Sequence, residues 1–268
     1  MSKAISDETA IWRYLDLPKF ISMLSTKTLW FAKAASFEDG YECFCEVARR
    51  EMPLNDPLAK CITRTVSGRE PELISLTRMV VDLSREAAAH FDRAPEHIYV
   101  NSWCLADESM AMWQIYGSDG CGIAVKSSID QYRRSAMVGV AEQQYTLDCV
   151  EYDLDSGSNS KIDVPLGSTP VAAGLWRELL KIAFHKRTCF EYENEWRAAL
   201  YQDERDIPGC NIDVDLDSLV SEVYIGPRAS QLVFDVVCAV MDRFELKKPL
   251  KQSDLLQKPQ RIAPFAAE

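Results

Sequence analysis

Three glutamates alternate with aromatic and polar residues in the segment 190–196, which reads Phe-Glu-Tyr-Glu-Asn-Glu-Trp. Because alternate side chains of an extended chain point to opposite faces, we expect Glu191, Glu193 and Glu195 to share one face of a strand. Carboxylates held that close repel and raise one another's pKa, which is typical of acid/base sites and of sites that stabilise a cation. A solvated acidic edge strand is the alternative interpretation of the same pattern.

The elements that must position these carboxylates can be read from periodicity. Strands are predicted at residues 11–15, 28–33, 98–105, 121–125, 138–152, 197–201 and 220–226, with a last one near 250–256. Helices are predicted at residues 17–26, 109–116, 171–187 and 230–244, the third of them ending in the basic turn His185, Lys186 and Arg187. Strands and helices do not alternate steadily, which favours an α+β fold over a doubly wound parallel sheet.

The chain is predicted to form a single domain over residues 1–268. Its hydrophobic content of 47% is enough to bury a sizeable core. Apolar residues that recur every three or four positions predict a helical insertion at about 54–93. A concentration of Asp, Ser, Gly, Asn and Pro predicts a loop at about 153–169.

Composition disfavours several classes of protein. No apolar stretch approaches the roughly 18 residues of a membrane span, and the N-terminus lacks the pattern of a secretion signal, so we expect a cytoplasmic protein without membrane contact. Nine cysteines without paired spacing fit a reducing compartment. Three histidines and no zinc-binding motif predict no metal site. An excess of 41 acidic over 30 basic residues disfavours non-specific nucleic-acid binding.

Four short motifs are spread along the chain: a turn at Phe37–Glu42, a strand motif at Ser102–Cys104, a helix motif at Met112–Tyr116 and the acidic segment Tyr192–Arg197. Together they resemble an uncharacterised bacterial family, domain-of-unknown-function family 2971. The chain departs from that pattern at residues 38–40, which read Glu-Asp-Gly instead of Asn-Asp-Pro, and at Cys104, where the family has serine. These departures leave the roles of both positions open.

Arg13 in an early strand, Ser102 in a middle strand and Glu195 at the start of a late strand follow one another along the chain. This order resembles the Arg-Ser-Glu class of mono-ADP-ribosyltransferases. The resemblance implies a mixed or antiparallel split β-sandwich with flanking helices, and NAD as the substrate. It also implies transfer of ADP-ribose to an unknown macromolecular acceptor, or hydrolysis of NAD, in a bacterial toxin or phage-defence effector.

The same resemblance implies a role for each residue. Arg13 would bind the pyrophosphate of NAD through a charge-assisted fork, and Ser102 would order the pocket for the nicotinamide ribose. Glu195 would accept a hydrogen bond from the ribose 2′-hydroxyl and stabilise an oxocarbenium-like transition state. Glu193 would orient or deprotonate the acceptor.

An aromatic residue of the strand at 28–33, Phe31 or Trp30, would stack on the nicotinamide. We expect the other large aromatic residues, Trp103, Trp113 and Tyr116, to belong to the core.

Two other classes of function remain open from the residues alone. The acidic segment and its aromatic residues could form a protein-binding edge of a non-catalytic sensor or interaction module. Glu191 and Glu193, with an aspartate, could instead serve a metal-dependent nuclease, although the strand lacks a neighbouring lysine. Dependence on added magnesium would distinguish the nuclease from the other two classes.

Overall fold

A computed structural model describes residues 5–43, 45–47, 93–117, 120–136, 140, 145–154, 160–162, 179–202 and 207–257. The predicted helical insertion at about 54–93 therefore lies almost entirely outside the described residues. The same holds for most of the loop predicted at about 153–169 and for the first half of the helix predicted at 171–187.

Thirteen strands and five α-helices have their full bounds in the described part of the chain, and residues 179–181 are also helical. The strands are β1 (Ala10–Leu15), β2 (Thr28–Lys33), β3 (Cys45–Val47), β4 (Ile98–Cys104), β5 (Ile123–Ser128), β6 (Tyr145–Cys149), β7 (Glu151–Leu154), β8 (Ser160–Ile162), β9 (His185–Arg187), β10 (Glu195–Tyr201), β11 (Gly209–Asp213), β12 (Glu222–Ile225) and β13 (Leu250–Gln252). The helices are α1 (Leu17–Thr26), α2 (Met110–Tyr116), α3 (Ile129–Ala136), α4 (Leu216–Leu219) and α5 (Gln231–Arg243).

Local sequence explains where the longer helices begin. Asp16 caps α1 by accepting a hydrogen bond from the backbone N–H of Lys19, and Pro18 occupies the first turn, where its missing N–H costs nothing. Ser109 and Ser230 cap α2 and α5 in the same way. None of the helices in this part of the chain is long and apolar enough to cross a membrane.

Nine strands form one mixed sheet, in the order β11-β2-β4-β1-β5-β12-β13, and β10 joins it by pairing with β4 and β6. All pairs in this sheet are antiparallel except β12 with β13. The α+β class and the mixed sheet are confirmed. The finer prediction, a split β-sandwich in a single domain, stays a prediction.

The sheet opens along one edge of β4. Its C-terminal end pairs with β1 through Trp12 and Cys104, whereas its N-terminal end pairs with β2 through Lys33 and Tyr99. Among the described strands, none pairs with residues 101–103 on that edge. We call this gap between β1 and β2 the split.

The two faces of the sheet are covered differently. Odd-numbered residues of β4, such as Trp103, and even-numbered residues of β10, such as Trp196, face the main core, which also includes apolar residues of α1, α3 and α5. The opposite face carries two smaller buried clusters, one around Val100 and Ala199 and the other around Tyr14 and Cys104. The candidate site lies where this opposite face meets the split.

Candidate active site

A cleft of about 790 Å³ opens beside the split, within the roughly 300–1,000 Å³ typical of ligand sites. Residues of both smaller clusters line it, including Val100 and Cys104. The site residues predicted from sequence that border the same cleft are Arg13, Ser102, Glu193 and Glu195. Residues far apart in the chain are thus brought to one concave surface by the strand order.

The acidic segment does not form an extended strand. Residues Thr188–Glu193 form a 3₁₀ helix, Asn194 adopts a left-handed backbone conformation with φ of 42°, and β10 begins only at Glu195. The prediction of three carboxylates on one strand face was wrong, because the chain reverses at Asn194. Glu191 is exposed, whereas Glu193 and Glu195 converge on one buried group of charges.

Lys186 lies at the centre of this group. Its Nζ donates to Glu193 Oε2 at 2.5 Å and to Glu195 Oε1 at 2.7 Å, and it lies 3.7 Å from Glu42 Oε2. The sequence predicted Lys186 in the last turn of a helix, but residues 185–187 form the short strand β9, which pairs with β7. The ammonium therefore points into the protein instead of into solvent.

Arg197, in β10, is the second cation of the group. Its Nε donates to Glu195 Oε2 at 2.6 Å, its second nitrogen donates to the carbonyl of Ala183 at 2.7 Å, and its third pairs with the Glu42 carboxylate. Arg197 is almost fully buried, and so are Lys186 and Glu195. Isolated charges would be very costly at this depth, so mutual pairing is what allows them to remain ionised. We call Glu42, Lys186, Glu193, Glu195 and Arg197 the charge cluster.

The pKa values of Glu193 and Glu195 are shifted in opposite directions. Burial and the hydrogen bond shared with Glu195 raise the pKa of Glu193 to about 7. Burial also tends to raise the pKa of Glu195, but Arg197, the hydrogen bond from Glu193 and Lys186 together hold that pKa well below its ordinary value. The pair therefore combines a carboxylate that stays ionised with a carboxyl group that exchanges its proton near neutral pH.

Arg13 spans the split. One of its terminal nitrogens donates to the carbonyl of Ser102 at 2.9 Å, and the other lies 3.5 Å from the carbonyl of Trp30. The amide of Asn101 also donates to the Trp30 carbonyl, at 2.9 Å. These side chains satisfy backbone groups that strand pairing leaves open at the split. A guanidinium has five N–H donors, so Arg13 retains donors for a ligand in the cleft.

Ser102 lies directly opposite Arg197 in the pairing of β4 with β10, and Cys104 lies opposite Glu195. Ser102 and Cys104 therefore share the face of the sheet that carries the charge cluster. Cys104, which stands where the pattern of the resembled family has serine, therefore lies next to Glu195. Burial raises the pKa of the Cys104 thiol.

Phe31 is not available for stacking on a ligand, which corrects one prediction. Its side chain is fully buried in the main core because β2 alternates, and its exposed fraction is 0%. The alternative, Trp30, points the other way, is 43% exposed and lines the cleft. Its ring lies over Gly209 of β11, where any side chain would collide with the indole.

Sequence reasoning missed three contributors to the site. Lys186 and Glu42 lie in segments whose sequence predicts only a helix end and a turn, and Arg197 belongs to a strand predicted for its apolar residues.

Tyr116 was predicted to lie in the core, but it is partly exposed and lines the cleft. Burial and the nearby Glu193 and Glu195 raise the pKa of its hydroxyl. Trp103 and Trp113 are buried, as predicted.

Two alternative interpretations lose their structural basis. The acidic segment does not lead into an edge strand, because β10 pairs with β4 on one side and with β6 on the other. The metal-dependent nuclease would need Glu191 and Glu193 to share a cation, but Glu191 is exposed and Glu193 is paired with the Lys186 ammonium.

No family model and no curated protein sequence matches this chain. Three solved structures similar to it are of Thermus sp. 2.9 DarT, each 10% identical in sequence. The complex with NAD+ covers 93% of this chain and 98% of that chain at a TM-score of 0.40. The complex with ADP-ribosylated ssDNA covers 94% and 98% at 0.40, and the complex with carba-NAD+ covers 92% and 96% at 0.38. A likeness this distant carries no argument about the chemistry of this chain.

Proposed function

We propose that this chain is an ADP-ribosyltransferase-like enzyme that uses NAD as its substrate. The enzyme would break the bond between nicotinamide and ribose and would transfer ADP-ribose to an acceptor or to water. The observation that carries the proposal is that Arg13, Ser102, Glu193 and Glu195 border one cleft, with a carboxylate held ionised at its wall.

Glu195 has the electrostatic properties that this reaction needs. As nicotinamide leaves with the electron pair of the broken bond, positive charge develops on the ribose C1′ and ring oxygen. A carboxylate that is already ionised and fixed by Lys186 and Arg197 needs no reorganisation to stabilise that charge. Both oxygens of Glu195 keep further lone pairs that can accept a hydrogen bond from a ribose hydroxyl.

Glu193 supplies the proton transfer that completes the reaction. The acceptor atom forms a bond to C1′ and loses a proton, which the ionised form of Glu193 can take. Its pKa of about 7 means that this base is available at neutral pH and above. The products are then nicotinamide, the ADP-ribosylated acceptor and one proton.

Arg13 would hold the pyrophosphate on the other side of the cleft. Its guanidinium is fixed by the carbonyl of Ser102, so its remaining donors are oriented before the ligand arrives. Trp30, whose carbonyl also contacts Arg13, offers an exposed indole on which an aromatic ring of NAD can stack.

Broader parts of the proposal rest on the sequence resemblance. We infer membership of the bacterial domain-of-unknown-function family 2971, a cytoplasmic location, and a role as a toxin or phage-defence effector with an unidentified macromolecular acceptor. The non-catalytic sensor or interaction module remains the alternative function, without the strand-addition edge first suggested for it.

The proposal is tested by nicotinamide release from NAD, with a bacterial lysate present to supply the acceptor. We expect Glu195→Gln to lower the rate by about 10²–10³-fold. Glu191→Gln is the matched control, because Glu191 belongs to the same segment but is exposed, and it should keep the wild-type rate. Circular dichroism checks that both variants are folded, and Ser102→Ala provides a second active-site change.

Equal nicotinamide release by wild-type protein and folded Glu195→Gln would refute the enzymatic function. Capture of a protein partner that persists in both variants, without nicotinamide release, would favour the interaction module instead.

A further inference from the structure

The paired strands β7 and β9 form a ribbon with two chemically different faces. The inner face contacts the charge cluster: Lys186 belongs to the cluster, and the hydroxyl of Tyr152, which pairs with Lys186 in register, accepts a hydrogen bond from the Glu195 N–H at 2.7 Å. The outer face carries Glu151, Asp153 and His185, because side chains alternate along both strands.

The three outer side chains converge. Glu151 pairs with His185 in register, and the register of the ribbon shifts between Tyr152 and Leu154. This irregularity falls at Asp153, in keeping with the way strand bulges redirect a side chain. His185 Nδ1 lies 3.0 and 3.1 Å from the two carboxylate oxygens of Asp153. One donor atom from each of the three residues lies within 4.8 Å of the other two.

We propose that this outer face binds one divalent first-row transition-metal ion through Glu151, Asp153 and His185. An imidazole with two carboxylates suits ions such as Mn²⁺, Fe²⁺ or Zn²⁺, whereas Mg²⁺ and Ca²⁺ prefer oxygen donors alone. Three protein ligands leave coordination positions open. Asp153 is about half exposed, with 53% of its side chain accessible, so these positions face solvent.

A bound ion would stabilise the two strands that position Glu195 at the cleft. It would link β7 to β9 on the face opposite Tyr152 and Lys186, and both of these residues contact Glu195. A bound cation would therefore hold the two strands that position the Glu195 carboxylate. It does not take part in bond breaking, and the site stands independently of the proposed function.

No sequence motif signals this site. The histidine is 32 residues from Asp153 in the chain, far from the short spacings that mark zinc sites, and the ligands meet only because β7 and β9 pair in parallel. The sequence-based prediction of no metal site followed from that absence of motif.

Mn²⁺ is the probe of choice because it binds oxygen and imidazole donors and avoids the thiols of this cysteine-rich chain. The full chain, treated with a chelator and then dialysed, is titrated with Mn²⁺, and free ion is measured by electron paramagnetic resonance. We expect one ion per chain. His185→Ala and Asp153→Asn should each weaken binding by at least about tenfold, and Mn²⁺ should raise the melting temperature of the wild type but not of the variants.

His97→Ala and Asp130→Asn are the matched controls for loss of an imidazole and of a surface carboxylate, and both should bind Mn²⁺ as the wild type does. Absence of Mn²⁺ binding by the wild type would overturn the proposal. Equal binding by the wild type and both ligand variants would also overturn it, since the ion would then lie elsewhere.

Discussion

The Lys186 ammonium lies 2.7 Å from Oε1 of Glu195, and both side chains are almost completely excluded from solvent. The pair joins β9 to β10, two strands that do not pair with each other through their backbones. Burial lowers the pKa of Lys186, but Glu195 and Glu42 raise it by more, so the ammonium keeps its charge. This contact therefore holds β9 and β10 together at the charge cluster.

Replacing Lys186 with Met should destabilise the fold. Within the part of the chain that the structure describes, the change leaves Glu195 and Glu42 with Arg197 as their one buried counter-charge, and breaking a buried pair from one side costs about 3–5 kcal/mol. Urea unfolding at neutral pH measures the loss. Lys19→Met is the control, because Lys19 is exposed and pairs with Asp16 on the surface. An unchanged free energy of unfolding in Lys186→Met would mean that the cluster is hydrated.

Glu193→Gln should stabilise the protein at alkaline pH. The pKa of Glu193 rises from 4.5 to about 7 on folding, so its favourable contribution is complete below pH 4.5 and is lost as the pH rises through about 7. Glutamine resembles the protonated carboxyl group and avoids that loss. At about 1.4 kcal/mol per pKa unit, the gain at pH 8 is up to about 3 kcal/mol.

Unfolding free energies of Glu193→Gln and wild type at pH 5 and pH 8 check this result. The difference between the two proteins should be larger at pH 8. A difference that does not change with pH would show that folding does not raise the pKa of Glu193, and Glu191→Gln, at an exposed position of the same segment, is the control substitution.

The rate of ADP-ribose transfer should rise with pH and level off above about 7, because only the ionised form of Glu193 can accept the acceptor's proton. Single-turnover nicotinamide release and acceptor labelling, followed from pH 5.5 to 9, separate the two steps. In Glu193→Gln, labelling should lose this rise while nicotinamide release is less affected. An unchanged pH profile in the variant would assign the base to another group.

Trp30→Ala should weaken NAD binding, whereas Phe31→Ala should lower the stability of the fold. Trp30 is partly exposed at the cleft, so its truncation should weaken NAD binding by about 1–3 kcal/mol with little loss of stability. Phe31 is buried in the main core, and its truncation should cost about 3–5 kcal/mol of stability. Calorimetric binding of NAD and thermal unfolding distinguish these results. If Trp30→Ala binds NAD as the wild type does, stacking on this residue is excluded.

Much of the secondary structure could be predicted from local sequence. The strand at 28–33 and the helix at 17–26 are found with the predicted bounds, because a capping residue and alternating burial fix them locally. The segment 188–195 could not be predicted in this way. Its period-two pattern suits a strand, but tertiary contacts of Glu193 and Glu195 with Lys186 favour a 3₁₀ helix and a left-handed turn at Asn194.

The sequence by itself determined the α+β class, most strand positions, and four polar residues that border one cleft. The tertiary structure alone decided which charges face each other. Lys186 meets Glu195 through the parallel pairing of β7 with β9, and Glu42 meets Arg197 and Lys186 through the turn before β3. Long-range pairing of this kind leaves no periodic trace in a sequence. The tertiary structure also decided that Trp30 and not Phe31 lies at the cleft, because the face of β2 that carries Phe31 packs against the main core.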